Sequence, residues 1–548
     1  MATTGESTHP SLFQRVLRLF RPSHEHSVFS ASLMLVAAIM LSRVFGALRD
    51  VYVAWQFGAG GQTDAYVAAF TLPDFVNYLL SGGAVSITFI TIYTRYFSEG
   101  QHEKARRTFS AIITMMTVVL GIAVIVGEII TPQFTRWFFP EFRPAEMQLC
   151  ILLTRILLPA QIFFFLGTVM SAVLQSRRMF MLPAFAPVAY NIFIILGGIL
   201  GARRFGVASL AIGAVAGCVL GPFLLNAVGA LKTGIGYRVS FDWRDKGFQE
   251  WVKLSIPLML GVSLVTADEW IIRHFASGST GDITRLNYAK RLFSAPMGML
   301  RQATGQASLP FFTSLIAAGE YKKFSRMVND SVFRVGGISL LVTAWMCACS
   351  LPIIDLVYRR GEFTFSDSRT TAVYFFIFTI SLFLWTAQGF YSRAFYAAGN
   401  TLVPMIAATA ITVLSIPMYK FLFQSMGVPG LAVASDVGIL VNTIVVALLL
   451  HQKKLVTFGQ MRWTEWGKVF LVSLFAGVAA YAAGHHWHGS SRFGEFKAIA
   501  ASTIVWAVVT LAGLWATRSE LPGELRRRKK QPAATPTPEI GNSEELKP

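Results

Sequence analysis

Arg43 and Arg49 of SRVFGALRD are the side chains best equipped for chemistry in this chain, because both lie in a long apolar run. Ionisable residues in such runs are costly and mark functional positions. Six residues apart on one helix, they occupy similar faces about 9 Å apart along the axis. Two permanently charged, forked donors at that spacing suit a diphosphate or a carboxylate. The plainer alternative has both snorkelling from a helix end, or pairing with Asp50 and Asp64. Gly46 lies between them and permits a bend or a close approach.

Two further groups carry charge within apolar sequence. ADEWIIRH contains Asp268, Glu269 and Arg273, and the four-residue spacing of Glu269 and Arg273 suits a pair on one helix face. TRLNYAKRLFSAP contains Arg285, Lys290 and Arg291. As neighbours, Lys290 and Arg291 point about 100° apart, so one can face a cavity while the other reaches an interface. FTLPDFVNYLLSGG combines Pro73 with Gly82 and Gly83, which weaken a helix and suit a hinge. His485, His486 and His488 of HHWH read as solvated loop rather than a metal site. The chain has no Walker motif, GxSxG elbow or HExxH, so transport cannot be driven by its own ATP hydrolysis and no catalytic constellation stands out. The expectation is a transporter rather than an enzyme, with no metal and no cofactor. Coupling to membrane potential or to a monovalent ion stays open.

Such residues need elements that hold charge inside an apolar medium. The 548 residues are 54% hydrophobic and 14% charged, against roughly 25% charged in soluble domains. The apolar runs are continuous rather than alternating, which excludes an outer-membrane barrel and points to spanning helices of about 20 residues. The four cysteines all sit in apolar stretches and read as small packing residues. The net charge of +19 resides largely on connectors, where lipid head groups and the positive-inside bias explain it without a nucleic-acid partner.

The expected fold class is an all-α polytopic membrane protein of about 14 transmembrane helices. Their spans are 29–56, 64–94, 108–131, 147–173, 180–201, 207–231, 249–276, 284–316, 331–357, 370–398, 402–423, 428–450, 466–484 and 496–517. Basic residues concentrate on the connectors that share a side with the termini, which predicts a cytoplasmic location for both ends. LQSRRMFMLP ending at Pro183 and FYAAGNTLVP ending at Pro404 stand 221 residues apart, as do the GV starts at Gly206 and Gly427. Phe57 with Asp64 repeats as Phe275 with Asp282 at an offset of 218. Helices 1–6 and 7–12 therefore read as two six-helix lobes in parallel repeat, a transporter architecture. The expected organisation is a cytoplasmic arm (1–28), an N-lobe (29–231), a C-lobe (249–450), two extra C-terminal helices (466–517) and a disordered basic tail (518–548).

The motif series resembles the MurJ/MviN lipid II flippase family of the multidrug/oligosaccharidyl-lipid/polysaccharide exporter superfamily. It comprises SRVFGALRD, FGAGGQTDAYVAAFTLPDFV, SRRMFMLPAFAPVAYNI, FASGSTGDITRLNYAKRL, YRRGEFTFSDSRTTAVY, SRAFYAAGNTLVP and GVPGLAVA, in that order over roughly residues 30–450. The resemblance implies two lobes around a central cavity and alternating access. It implies a cargo of undecaprenyl-diphosphate-linked peptidoglycan precursor, moved to the outer leaflet of a bacterial cytoplasmic (inner) membrane for cell-wall synthesis and cell shape. It also implies cargo contacts at Arg43, Arg49 and Arg291, with Asp64 orienting one of the arginines. Asp268, Glu269, Arg273 and Lys290 are supporting candidates. Expected partners are the lipid-linked precursor and membrane lipids, with cell-wall synthesis proteins as further candidates. The chain departs from the family pattern at Asn77 and Tyr78, where a basic pair is common, and at Gly82, Lys290 and Ser294, where acids are common. A translocase for another lipid-linked glycan and a transport-deficient scaffold for cell-wall assembly are the alternatives.

Overall fold

The computed structural model describes residues 28–80, 83–177, 179–260, 264–485, 487 and 492–526, and among them every regular element is a helix. The arm before residue 28, Gly82, His486, His488 and the chain after residue 526 lie outside the described residues.

The first half comprises α1 (Val28–Phe57), α2 (Gly61–Ala69), α3 (Thr71–Leu80), α4 (Gly83–Ser98), α5 (His102–Phe138), α6 (Pro144–Leu157), α7 (Ala160–Ser176), α8 (Met181–Phe205), α9 (Ala208–Cys218) and α10 (Asn226–Lys232). The second half comprises α11 (Lys246–Leu260), α12 (Leu264–Phe275), α13 (Asp282–Ala317), α14 (Tyr321–Ala348), α15 (Ser350–Tyr358), α16 (Phe365–Ile380), α17 (Leu382–Ala397), α18 (Leu402–Met426) and α19 (Pro429–Gln452). Then come α20 (Trp463–His485), α21 (Arg492–Ala516) and the short α22 (Leu521–Arg526).

Ten of the described helical stretches are long and apolar enough to cross a membrane. The expected spans 29–56, 64–94, 249–276 and 284–316 are not among these ten. They are helical over their described residues as α1, α2 to α4, α11 to α12, and α13. These four are also the stretches that hold the intramembrane charges named above. Leu200, Leu414 and Trp515 stand exposed on the outside of the assembly, the natural arrangement where hydrocarbon rather than water is the solvent.

Local chemistry explains the interruptions. The helical path breaks at Phe70, three residues before Pro73. Proline has no N–H to bond the carbonyl four residues earlier. That carbonyl, on Ala69, instead accepts from Thr154 Oγ1 at 3.2 Å. By contrast, α1 runs unbroken through Gly46. Gly83 opens α4. The largest buried apolar cluster draws Ala54, Ala65, Ile194, Ala289, Phe293 and Phe375 from both halves. Contacts between the halves run from α2 to α13, from α1 to α15, and from α11 to α3, α4 and α5.

Helices α20 and α21 pack on each other and against α14 and α15. Trp345 Nε1 donates to Thr503 Oγ1, and Trp506 Nε1 to the Leu341 carbonyl, each at 2.9 Å. The expected disordered tail from 518 needs correction at its start. Residues 521–526 form α22, with Leu521 buried against Gly337. Glu524 in α22 pairs with Arg334 at 2.6 Å and Arg462 at 3.3 Å. Burial pushes the Glu524 carboxyl up, but the two guanidinium groups outweigh it and hold the group below its ordinary range.

Candidate functional site

Helix α1 delivers Arg43, Arg49 and Asp50 to the centre of the molecule. Arg49 donates to Asp50 Oδ1 through Nε at 3.1 Å and Nη2 at 2.8 Å. Its Nη1 donates to Asn191 Oδ1 on α8 at 3.0 Å. Asn191 is itself fixed, because its amide nitrogen donates to the Pro187 carbonyl at 2.9 Å. The other oxygen of Asp50 faces Arg291 Nε on α13 at 3.5 Å. Asp50 is thus a buried hub that joins an arginine of the first half to one of the second. A buried carboxylate is tolerable here because both flanking charges are positive.

The three arginines differ in what they have left to offer. Arg49 is nearly enclosed and committed to Asp50 and Asn191. Arg291 keeps 48% of its side chain exposed. Arg43 lines a cavity of about 390 Å³ with Ser42, Ser171, Gln175 and Phe180. Its guanidinium rests against Gly298 on α13, where a Cβ would stand 3.1 Å from Nη1 and Nη2. Any side chain at 298 would push Arg43 aside. Arg43 and Arg291 therefore keep donors for an anion, and Arg49 anchors the carboxylate between the halves.

Asp64 calls for a correction. It does not orient an arginine: its partners are the Gly281 N–H, the Thr284 N–H at 2.8 Å and Thr284 Oγ1 at 2.7 Å. Gly281 precedes the first residue of α13, has φ +88° and brings no side chain to cap the helix. The first N–H groups of a helix need an outside acceptor, and a carboxylate there also meets the positive end of the helix dipole. Asp64, from the opposite half, supplies both. Nearby, the Glu362 N–H donates to the Trp55 carbonyl at 3.0 Å, and His274 Nδ1 lies 2.6 Å from the Phe138 carbonyl.

Lys290 and Arg291 separate as their helical spacing requires. Arg291 faces the centre, whereas Lys290 turns into the second half and pairs with Asp268. Asp268 also accepts from Tyr419 Oη and from Ser435 Oγ, the latter at 2.9 Å. Asp268 and Lys290 thus form a partly buried pair within the second half. Glu269 and Arg273 approach to 3.6 Å, as four-residue neighbours do. Arg273 also reaches across to the first half, with Nη1 at 3.3 Å from both Asp74 Oδ2 and Thr71 Oγ1. Ser294 lies exposed near the centre and donates to the Arg291 carbonyl at 2.8 Å. Tyr78, in place of a basic residue, packs edge-on against Trp270.

The opposite end of the halves meets differently. Arg95, at the end of α4, pairs with Glu250 at the start of α11 through two contacts of 3.0 and 2.5 Å. One level deeper, Thr88 Oγ1 and Ser255 Oγ lie 2.8 Å apart. Among the described residues no cluster of three or more His, Cys, Asp or Glu is arranged to hold a metal ion.

The sequence reading did not single out Asp50, Asn191, Asp74 or Thr284 as site residues. Asp50 had a signal, since it adjoins Arg49, but adjacency alone suggested only a local neutralising pair. The partnerships with Asn191 and Thr284 link residues more than a hundred positions apart and leave no mark in local sequence.

A family model described as lipid II flippase MurJ matches residues 53–501. A probable lipid II flippase MurJ of Bdellovibrio bacteriovorus is 25% identical over 437 residues, covering 78% of this chain and 82% of that protein. Its counterpart in Buchnera aphidicola is 26% identical over 468 residues, covering 84% and 90%. A solved structure of lipid II flippase MurJ in an inward closed conformation superposes with a TM-score of 0.74 at 23% identity, covering 88% of this chain and 99% of that one. An inward-facing multidrug resistance MATE family transporter superposes at 0.61 with 14% identity, covering 77% and 98%.

Proposed function

This chain belongs to the lipid II flippase MurJ family, and from that membership we propose that it carries lipid II, the undecaprenyl-diphosphate-linked peptidoglycan precursor, from the inner to the outer leaflet of the bacterial cytoplasmic membrane. The single observation that supports a diphosphate cargo is the pair of available arginines at the centre, Arg43 beside its cavity and the half-exposed Arg291. A diphosphate moved bare through an apolar interior would meet a prohibitive desolvation cost. Two guanidinium forks, one from each half, replace its lost hydration with charge-assisted hydrogen bonds.

In this reading the four interrupted or charged stretches join the ten apolar ones to give fourteen spans. They form an N-lobe (29–231), a C-lobe (249–450) and an appended pair (466–517), with both termini cytoplasmic. The lobes are parallel repeats that rock about the centre in alternating access. The Asp64 contact is then the outer seal and the Arg95–Glu250 contact the cytoplasmic one. Cargo enters once the cytoplasmic contact parts, and its phosphates displace Asp50 as the partner of Arg291. Arg49 keeps Asp50 from following the cargo.

The test is binding of undecaprenyl diphosphate by purified, folded variants. Arg43→Ala and Arg291→Ala are each expected to weaken binding roughly ten- to a hundredfold, from about 1.5–3 kcal/mol for a hydrogen bond to a charged group. Arg→Lys at either position should weaken it less, since the charge remains while the fork is lost. Parent-like binding by both alanine variants would remove the cargo site, even if cells dependent on them died.

A further inference from the structure

Glu128 on α5 and Arg155 on α6 form an ion pair on the outside of the first half, with Arg155 Nε 3.7 Å from Glu128 Oε2. Arg155 Nη2 also donates to the Glu128 carbonyl at 3.3 Å. The two side chains are 32% and 46% exposed, and Ile122, Ile125, Ile129 and Leu152 beside them are exposed and apolar. Both helices belong to stretches long and apolar enough to cross a membrane. Glu128 lies ten residues before the end of α5 at Phe138, and Arg155 eleven residues after the start of α6 at Pro144. At about 1.5 Å per residue, each stands about 15 Å along its helix from that end, or half of a ~30 Å hydrocarbon core. Exposed Trp137, next to Arg136, marks the membrane boundary at the helix end. The pair therefore stands near mid-membrane and faces lipid.

No other Asp, Glu, Lys or Arg occurs between residues 108 and 135 or between 147 and 176. Intramembrane charges ordinarily turn to the protein interior or to a water-filled cavity, and this pair does neither. Hydrocarbon solvates neither charge, and one contact of 3.7 Å leaves most of the five guanidinium N–H donors unused. The second half shows what covers the equivalent face. Helices α5 and α14 start 219 residues apart, and α6 and α16 start 221 apart. In the proposed repeat, Cys347 and Phe376 thus stand where Glu128 and Arg155 stand in the first half. Those two line an apolar groove whose far wall is Phe470, Leu474 and Gly477 of α20. The appended helix covers in the second half a face that the first half leaves open, and the open face is the charged one.

We propose that the α5–α6 face binds a second copy of this chain about a two-fold axis along the membrane normal. Copies in one membrane share an orientation, so such an axis keeps every residue at its depth. Glu128 and Arg155 lie side by side at one depth, and the rotation sets Glu128 of each copy against Arg155 of the other. Four charges of alternating sign then form a neutral ring, in which each guanidinium divides its donors between two carboxylates. A surface that complements itself under a two-fold is what an isologous dimer requires. A different membrane protein would have to present the reverse order of charges, whereas a second copy presents it by symmetry. This contact requires only that α5 and α6 span the membrane, and it involves neither the centre nor the cargo.

Energy transfer between donor- and acceptor-labelled copies of the full-length protein, diluted in steps into phosphatidylethanolamine–phosphatidylglycerol vesicles, tests the proposal. The parent should show saturable transfer above that of randomly mixed monomers. Glu128→Gln and Arg155→Gln should each weaken association by roughly tenfold or more, as losing one partner of a desolvated charge pair does. Glu128→Arg alone and Arg155→Glu alone should abolish it, because like charges then meet across the axis. Mixing these two variants should restore it between unlike copies, an outcome that a role confined to one chain does not give. Leu414→Gln, on an exposed apolar face of the second half, should leave it unchanged. A parent that stays monomeric at every dilution overturns the proposal, including one that pairs only with a different membrane protein. So does parent-like association by both Gln variants, a loss as large in Leu414→Gln, or no restoration on mixing the folded charge-reversal variants. Should the charge-reversal variants fail to fold, the two Gln variants decide. Because cargo is absent, a negative result leaves the diphosphate reading untouched.

Discussion

The two ends of the interface between the halves are closed by opposite kinds of chemistry. At one end a buried carboxylate, Asp64, accepts three hydrogen bonds from Gly281 and Thr284 and meets the start of α13. At the other, Arg95 and Glu250 pair across an exposed surface, above a neutral contact between Thr88 and Ser255. Hydrogen bonds to a buried charge are worth about 1.5–3 kcal/mol each, while an exposed ion pair contributes about 0–1 kcal/mol and is screened by salt. The Asp64 end is therefore the stronger lock, and the Arg95 end is the one thermal motion opens first. In the proposed orientation, with cargo received at the Arg95 end, this asymmetry sets the resting bias without any bound ligand.

The largest expected effect comes from breaking the stronger lock. Asp64→Ala leaves the buried N–H groups of Gly281 and Thr284 without an acceptor, at a cost of about 1–3 kcal/mol for each. Hydrogen–deuterium exchange at those two amides should accelerate by at least roughly a hundredfold, and the gene should fail to sustain growth as the sole flippase. Asp64→Asn keeps one acceptor oxygen and should fall between. Unchanged exchange in Asp64→Ala would show that the asymmetry has been misread.

Gly281→Ala should weaken the same lock by a smaller amount. At φ +88° an alanine is strained, and its Cβ would stand 2.6 Å from the Ala59 carbonyl oxygen. Left-handed backbone costs an ordinary residue about 1–2 kcal/mol, and the clash adds to it. Exchange at Thr284 should rise, but less than in Asp64→Ala. An equal rise would mean that backbone geometry, not the carboxylate, holds this end.

The asymmetry was only half legible in the sequence. Charge in apolar runs flagged Arg43, Arg49, Arg291 and the Asp268 to Arg273 group, because intramembrane charge is rare whatever the topology, whereas Asp64 became a site candidate through the family resemblance. Pro73 likewise marked a break in the helical path, since a missing N–H acts locally. What could not be read was direction. Asp64 in GQTDAY sits one turn into its own helix and looks like a local N-terminal acid, yet it caps a helix 220 residues away. Lys290 and Arg291 are neighbours, and only the packing of α13 sends one to Asp268 and the other to the centre. Residue type tells which groups need partners; the partners are set by which helices the fold brings together.

The smallest effect tests the weaker lock. Arg95→Ala removes an ion pair whose two side chains remain more than a third exposed. Water already solvates both charges there, so their separation forfeits little Coulomb energy and returns side-chain freedom. Opening of this end, followed by the crosslinking rate of cysteines at positions 98 and 246, should rise by no more than roughly fivefold, the equivalent of about 1 kcal/mol. Raising ionic strength from about 0.05 to 0.5 M should narrow the difference between parent and variant, because the pair is screened within a few ångström at high salt. The Thr88–Ser255 contact is neutral and buried, so salt should leave it untouched. A change as large as that of Asp64→Ala would mean that the exposed pair is the governing latch, and the order of opening inferred from burial would be reversed.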